Sequence, residues 1–337
     1  MESTLADLED ARTGQGPQVS VVIPTRNRLG MLAQTLHTVL AQDVELEVVV
    51  VDEASSDATP DWLARHPDPR VRTVRHESPR GLSEARNAGI AASTGSWLAF
   101  VDDDDLWLPT KLIDQLAAAE HEGALWAFGG AITFSAGPRL LQGPRPLSAE
   151  TVRNLLHANA VPGGGSNAIV ARQALAEVGG FDPSVNIVAD WDMWIRLSQI
   201  SEPAVVPHTV MAYRIHGSNM SNNVEEMLDA IDALDARYRH LRGGPLDWLS
   251  LHQWLWLLTM RSGDRSSARR IALRGLRMGQ PNASRQLIRT FVPLRLRDPI
   301  TDPAEATGAL DRIRPRRVIE WPPQSESWLR QALAVTP

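Results

Sequence analysis

Four consecutive carboxylates, Asp102, Asp103, Asp104 and Asp105, follow directly on the apolar run 96–101 and are closed by Leu106 and Trp107. A strand buried on both faces cannot carry adjacent charges, so the acids must begin where the strand leaves its sheet. At the carboxyl end of a strand in an open α/β sheet they line the crevice in which ligands bind. Carboxylates crowded there repel one another unless a cation joins them, and oxygen ligands suit Mg²⁺ or Mn²⁺. The bland alternative is a solvated acidic turn; the buried-looking strand in front of the acids argues against it.

Holding such a run in place takes a sheet, and the preceding residues supply one. The stretch 19–24 is a β-branched run closed by Pro24, a first strand. Leu29, Leu32, Leu36, Val39 and Leu40 recur at helical spacing, which predicts a helix over 29–42. Residues 46–51 are solidly apolar, hence a central parallel strand, and end in the polar loop 52–57. A helix over 60–65, a weaker strand over 71–76, an alanine-rich helix over 83–92 and the strand 96–101 follow. Strand and helix thus alternate as in a parallel sheet with right-handed crossovers. Pro109 suits the first position of a helix reaching about residue 120.

Beyond residue 124 the pattern is mixed. It reads as a strand over 126–134, a Pro/Gly-rich turn at 137–146, a helix near 148–157, the glycines 163–165 and a strand over 167–170. Helical periods return over 224–241, 246–260 and 267–278. The expected organisation is a leader (1–18), a main domain (19–222, divided at 120/121), a helical appendage (223–290) and a Pro/Arg-rich extension (291–337).

Composition narrows the chemistry. The chain has 337 residues and a formal net charge of −6, which gives no footing on a phosphate backbone, so nucleic acid is not an expected partner. There is no cysteine, which removes disulfides, thiolate metal sites and thiol nucleophiles. The polar, acidic N-terminus has no signal-peptide core, and no apolar stretch reaches spanning length, so a cytoplasmic setting is expected. No G-x-G-x-x-G follows the first strand and no G-K-[ST] loop occurs, which argues against a dehydrogenase or a P-loop NTPase.

Four patches in order, Val22-Ile-Pro-Thr-Arg-Asn-Arg28, Val50-Val-Asp-Glu-Ala-Ser-Ser-Asp57, Gly81-Leu-Ser-Glu-Ala-Arg-Asn-Ala-Gly89 and Phe100-Val-Asp-Asp-Asp-Asp-Leu-Trp107, resemble those of the family 2 glycosyltransferases. A fifth, Gly179-Gly-Phe-Asp182 through Asp190-Trp-Asp-Met-Trp-Ile-Arg196, resembles their acceptor-side signature. The resemblance covers about two hundred residues and leaves the last hundred unaccounted for. It implies an α/β fold of the GT-A type, with a nucleotide-binding sheet flanked by helices on both faces. It also implies inverting transfer of a sugar from a nucleoside diphosphate donor (UDP, dTDP or GDP) to an acceptor. That acceptor is a polysaccharide, a lipid-linked sugar or a secondary metabolite.

Each residue's role follows from the same resemblance. Asp102 and Asp104 would hold Mn²⁺ or Mg²⁺ across the diphosphate, with His216 as a further ligand and His208 as a weaker rival. Asp103 would touch ribose, and Asp105 would order the next turn. Asp52 would accept a hydrogen from the base, with Pro24, Thr25 and Arg26 around base and ribose. Arg86 would meet the phosphates or an acid of the metal loop, while Asn87 and Gly89 would be packing residues. Asp190 would be the general base. Asp192 would line the acceptor site or cap a helix, Gly164 and Gly165 would admit the donor sugar, and Trp107 and Trp191 would wall the sugar ring or pack in the core. The chain departs from the family at Arg26, where an aromatic is common, at Glu53, where Asp is common, and at Ala189, where Glu usually precedes the base. Two alternatives stay open: a nucleotidyltransferase, which shares the sheet and the metal chemistry but would want a glycine-rich, lysine-bearing signature after the first strand, and a non-catalytic sugar-nucleotide-binding protein, which the missing Glu before Asp190 makes conceivable.

The C-terminal part offers a Trp/Leu-rich segment at 246–258 followed by Arg261, Arg265, Arg269, Arg270, Arg274 and Arg277, with Arg289, Arg295 and Arg297 further on. Three readings fit it: a solvated basic face with internal acidic partners, a homodimer contact, and a peripheral contact with an anionic inner membrane surface.

Overall fold

A computed structural model of the chain describes residues 17–134, 140–142, 155–216, 223–244, 246–262, 264–291 and 325–337. Strands β1 (Val19–Thr25) and β2 (Leu46–Glu53) are buried along their whole length. Residue parity divides their side chains between two cores. Val19, Val21, Ile23, Val48 and Val50 meet one face, where α1 (Leu29–Leu40) packs; Val22, Val49 and Val51 meet the other, which receives Ala85 of α3 (Leu82–Ala92). The first half continues through α2 (Thr59–Ala64), β3 (Val71–His76) and β4 (Trp97–Phe100). Gly89 lies so close to the sheet that a Cβ there would overlap Val22, in keeping with its reading as a packing residue.

The second half adds β5 (Leu106–Trp107), α4 (Lys111–Glu122), β6 (Trp126–Phe134), β7 (Leu140–Gln142), β8 (Ile169–Ala171), α5 (Arg172–Val178), α6 (Ala189–Ser198) and β9 (Ala204–Arg214). The strand order is β3-β2-β1-β4-β8-β6-β9-β5, with β7 beside β6. Only β3, β2, β1 and β4 form the expected parallel block; β8 runs antiparallel to β4 and to β6. Because β1 lies between β2 and β4, the loops after β1 and β4 diverge to opposite sides, opening the crevice expected at such a switch point.

Two sequence expectations need correcting here. The helix begins at Lys111 and not at Pro109. The Leu108 N–H still bonds Val210 O, extending the β5–β9 pairing, so the chain turns at 109–110 before the helix can start. The long strand β9, unread in the sequence, runs parallel to β6 and brings Arg214 and His216 back to the acid run. The Pro/Gly-rich turn at 137–146 and the helix near 148–157 lie largely outside the described residues, as do the leader and residues 292–324.

The C-terminal helices α7 (Val224–Tyr238), α8 (Trp248–Ser262) and α9 (Arg265–Arg277) share a core with α6. Val188, Trp191 and Ile195 meet Met227, Ile231, Leu255 and Ile271 there. Helix α10 (Ala283–Phe291) follows α9, and the final helix α11 (Ser325–Leu333) returns to the far sheet edge, where Leu329 and Ala332 pack on Leu106, Phe134 and Ala212. No helix among the described residues is long and apolar enough to cross a membrane.

One buried carboxylate ties the entry side of the sheet together. Glu47 accepts hydrogen bonds from Ser20 Oγ (2.6 Å), from the Thr94 backbone (2.6 Å) and hydroxyl (2.8 Å), and from Arg72. Burial alone would raise its pKa, but these donors outweigh burial and bring it down to about 2. A depressed folded-state pKa contributes stability that is complete above the unfolded value of 4.5 and is lost as pH falls towards 2. Glu47→Gln should therefore cost on the order of 1–3 kcal/mol at neutral pH. It should also remove part of the acid-unfolding slope, measured by urea denaturation at stepped pH; an unchanged slope would refute this role.

Candidate active site

The four aspartates at the end of β4 have different sets of partners, and Asp103 and Asp104 share Arg28. Asp102, the most exposed, accepts from Arg86 Nη2 at 2.6 Å, while its backbone N–H donates to Ser166 Oγ at 3.0 Å. Asp103 is buried between Thr25 Oγ1 (2.7 Å) and Arg28 Nη1 (3.0 Å). Asp104 Oδ2 takes Arg28 Nη1 at 3.0 Å and His216 Nε2 at 2.7 Å. Asp105 is fully buried; one oxygen accepts the Arg214 N–H at 2.9 Å and the other, Oδ2, has no hydrogen-bond partner. Desolvation and the Asp104 charge push Asp103 up to about 7 against the pull of Arg28 and Thr25, and desolvation followed by the Asp104 and Asp102 charges also raises Asp105.

The general-base candidate, Asp190, stands in the first turn of α6. Its Oδ2 accepts from Asn159 Nδ2 at 3.0 Å. Burial raises its pKa, while Arg86 and Asn159 oppose the rise. Ala189 is buried in the core, so the side chain that meets the base is Asn159. Gly164 and Gly165 make the close approach feasible: a Cβ on Gly164, which has φ +58°, would stand 2.9 Å from Asp190 Oδ2, and one on Gly165 would stand 2.5 Å from Arg86 Nη2. This glycine loop thus meets Asp190 on one side and the Arg86–Asp102 pair on the other.

At the end of β2, Asp52 is fully buried, with Oδ1 receiving the Ser55 N–H at 2.9 Å and Oδ2 paired to Arg75. Pro24 is buried beside Val51, and Arg26 is exposed at the mouth of the β1 loop. The Thr25 hydroxyl is directed to Asp103. Glu53 braces the turn before α3, accepting from the Arg80 and Gly81 N–H groups (2.7 and 2.9 Å) and from His76. Asn87 serves packing through paired bonds with the Phe181 backbone (2.7 and 2.9 Å). His208 is engaged by Asp114 at 3.0 Å, away from the acid run's own hydrogen bonds.

Three acceptor-side expectations are corrected by burial. Trp107 is 0% exposed, its indole N–H donating to Ser166 O at 2.8 Å and its ring lying under the Lys111 amine. Trp191 is 1% exposed and donates to Leu155 O at 2.6 Å. Neither ring can wall a sugar; both hold loops of the site from beneath. Asp192 is fully buried and neither caps α6 nor faces an acceptor. It accepts from Arg196 (2.7 and 2.9 Å), Arg237 (3.1 Å) and Tyr238 Oη (2.7 Å), tying α6 to α7.

The donor set suits a hard divalent cation. Asp104 and His216 converge on one point, and Asp102 offers an accessible carboxylate on the same rim. Among the described residues no three His, Asp or Glu side chains form a ready-made cluster. Mg²⁺ is commonly held by one or two carboxylates together with phosphate oxygens, and Asp102 and Asp104 are the carboxylates available on this rim.

Sequence reasoning missed Arg28, Gln34, Asn159 and Arg214. Arg214 Nε donates to Asp104 O at 2.7 Å, and its Nη2 donates to Gln34 Oε1 at 2.8 Å. Gln34 Nε2 in turn donates to Leu333 O (3.1 Å) and Val335 O (3.3 Å), so the C-terminal helix is wired through two side chains to the acid run. Arg28 and Arg214 both lie inside segments picked out for other residues; what was missing was the knowledge of what they face.

Comparison with known proteins follows this geometry. A family described as Glycosyl transferase family 2 matches residues 20–179. The succinoglycan biosynthesis protein ExoO of Rhizobium meliloti is 42% identical over 109 residues, a match covering 32% of this chain and 31% of ExoO. A PGL/p-HBAD biosynthesis glycosyltransferase of Mycobacterium tuberculosis is 30% identical over 219 residues, 62% of this chain and 80% of that protein. The crystal structure of S. aureus TarS 1-349 in complex with UDP-GlcNAc superposes with a TM-score of 0.55 at 15% identity, covering 88% of this chain and 92% of that one. At that identity the match speaks for the fold.

The Asp190/Asp192 pair gives a direct test of the assigned positions. Asp192→Ala leaves two guanidinium groups without their shared carboxylate and should cost on the order of 3 kcal/mol in thermal or urea unfolding. Asp190→Asn should change stability by less than about 1 kcal/mol. Equal losses would mean that the two aspartates do not divide structure and chemistry in this way.

Proposed function

The chain belongs to glycosyl transferase family 2, and from that premise we propose that it transfers a sugar from a nucleoside diphosphate donor to an acceptor hydroxyl, with inversion and with the help of Mn²⁺ or Mg²⁺. The observation that carries the reading is the meeting, within one crevice, of the rim residues Asp102, Asp104 and His216 with Arg86 and the buried-side carboxylate Asp190.

In this reading Asp102, Asp104 and His216 hold the ion, which when bound supplies positive charge to the departing diphosphate. Arg28 and Arg86, already set among these acids, add fixed positive charge at the same rim. Asp52, with Pro24, Thr25 and Arg26 around it, faces the base and ribose; Arg75, 43% exposed, is the partner of Asp52 that a base can replace. Asp103 is the neighbouring ribose-side acid.

Asp190 takes the proton from the acceptor hydroxyl as that oxygen bonds to the anomeric carbon and the carbon–phosphate oxygen bond breaks. Asn159 and the Gly164–Gly165 loop hold Asp190 in position. The pair Asn159–Asp190 supplies here what a Glu-Asp pair supplies in the family pattern. In this reading the acceptor is a polysaccharide, a lipid-linked sugar or a secondary metabolite.

Thermal-shift titration with UDP-, dTDP- and GDP-sugars, with and without Mn²⁺, tests donor and metal together. UDP-sugars come first, because the TarS fragment of this fold was crystallised with UDP-GlcNAc. At a donor concentration a hundred times Kd the gain should be about 2.7 kcal/mol. No stabilisation by any donor would overturn the proposal.

Asp190→Asn should retain that shift and lose roughly 10²–10⁴-fold in nucleotide release to acceptor. Binding without turnover by the native chain would instead favour the non-catalytic reading. Because the base must be unprotonated and burial raises its pKa, the rate should climb with pH through a value above the ordinary carboxylate range of about 4. A rate flat down to that range would separate Asp190 from the proton transfer.

A further inference from the structure

We propose that the face formed by α9 and α10 is a docking surface for an anionic lipid bilayer. The segment 248–291 contains eight arginines and one carboxylate, Asp264, a formal charge of +7 in a chain whose net charge is −6. Exposed apolar side chains gather on the same segment. Of the eight large hydrophobic residues exposed among the described residues, six lie between Leu249 and Phe291. Ile288 and Phe291 are the most open, each 63% exposed.

The two properties share one surface. On α10, Ile288 and Phe291 are exposed beside Arg285 and Arg289, while Ala283 and Thr290 face inward. On α9, Leu273 and Leu276 alternate with Arg270 and Arg277, and Met278 continues the patch. Arg269 lies over the Phe291 ring at 4.4 Å, joining the helices.

Internal partners account for only part of the charge. Arg270 pairs with Glu225 and Arg274 with Asp232. Arg277, Arg285 and Arg289 form no ion pair among the described residues, and each is exposed. Arginine flanking exposed Leu, Ile and Phe on a short helix is the composition of an interfacial element, in which apolar tips enter the acyl boundary and guanidinium groups meet lipid phosphates. A polyanion alone would leave the apolar tips in water, and a second copy of this face would bring like charges together. The anionic bilayer satisfies both properties.

Flotation of the full chain with phosphatidylglycerol-containing vesicles, against pure phosphatidylcholine vesicles, tests this. Binding should need the anionic lipid and fall at least tenfold in 0.5 M salt, since surface charge is screened over a few ångströms there. Arg285→Glu with Arg289→Glu should weaken it by about 25-fold or more, at roughly fivefold for each charge near the surface. Ile288→Asp with Phe291→Asp should abolish it, with circular dichroism and donor-induced thermal shifts unchanged. Absence of flotation by the native chain overturns the proposal. If sedimentation then shows a dimer that Phe291→Asp dissolves, the face belongs to a second copy; if the chain is monomeric, it belongs to the chain's own residues 292–324.

Discussion

Charge compensation at the end of β4 is the constraint to which the rest of the architecture answers. Four adjacent carboxylates cannot be left partly desolvated without cations near them, and the chain draws those cations from three separate places. Arg28 comes from the loop after β1, Arg86 from inside α3, and Arg214 from the end of β9, close to the His216 that hydrogen-bonds Asp104. Each arrives by a different route through the fold. Disturbing any of those elements therefore changes the electrostatics of the crevice as well as its shape.

Parallel register explains why these groups meet. Thr25 pairs with Asp52 across β1 and β2, while Val22 pairs with Phe100 across β1 and β4, so β4 stops three residues short of that level and the acid run reaches it, where Asp103 meets Thr25. Their loops carry Arg28, Asp52 and the acid run to one edge. Opposite them, the turn containing Gly164 and Gly165 clears space for Asp190 and Arg86, and Ser166 anchors it to the Asp102 backbone and to Trp107. The tryptophans beside the acidic motifs belong to this scaffold. Their area stabilises the loops from below, and a single indole hydrogen bond fixes each ring's orientation.

Remote parts of the chain are coupled to the crevice by short polar paths. Asp192 joins α6, which presents Asp190, to α7 through Arg237 and Tyr238. The C-terminal helix reaches the acid run through Gln34 and Arg214. The last hundred residues, which match no motif, thus contribute support for the helix that carries Asp190 and for the Asp104–Asp105 corner. The same appendage carries the arginine-rich face, and its helices share one apolar core with α6.

What the sequence determined by itself is local and periodic. Buried parallel strands read as unbroken apolar runs, amphipathic helices as 3.6-residue stripes, and the acid run as the end of a strand, because each signal is written in consecutive residues. The position of Asp102 and Asp104 just past β4 was legible for the same reason. Only the tertiary structure decided what each side chain faces. Trp107 and Trp191 turned inward, Asp192 became a strut, β9 took its place beside β6, and Arg28 and Arg214 were drawn to the acid run. Those outcomes depend on pairings between residues up to about a hundred positions apart, such as Asp105 with Arg214. No window of sequence contains both partners of such a pair, and burial, which selects between scaffold and site, is a property of the assembled sheet.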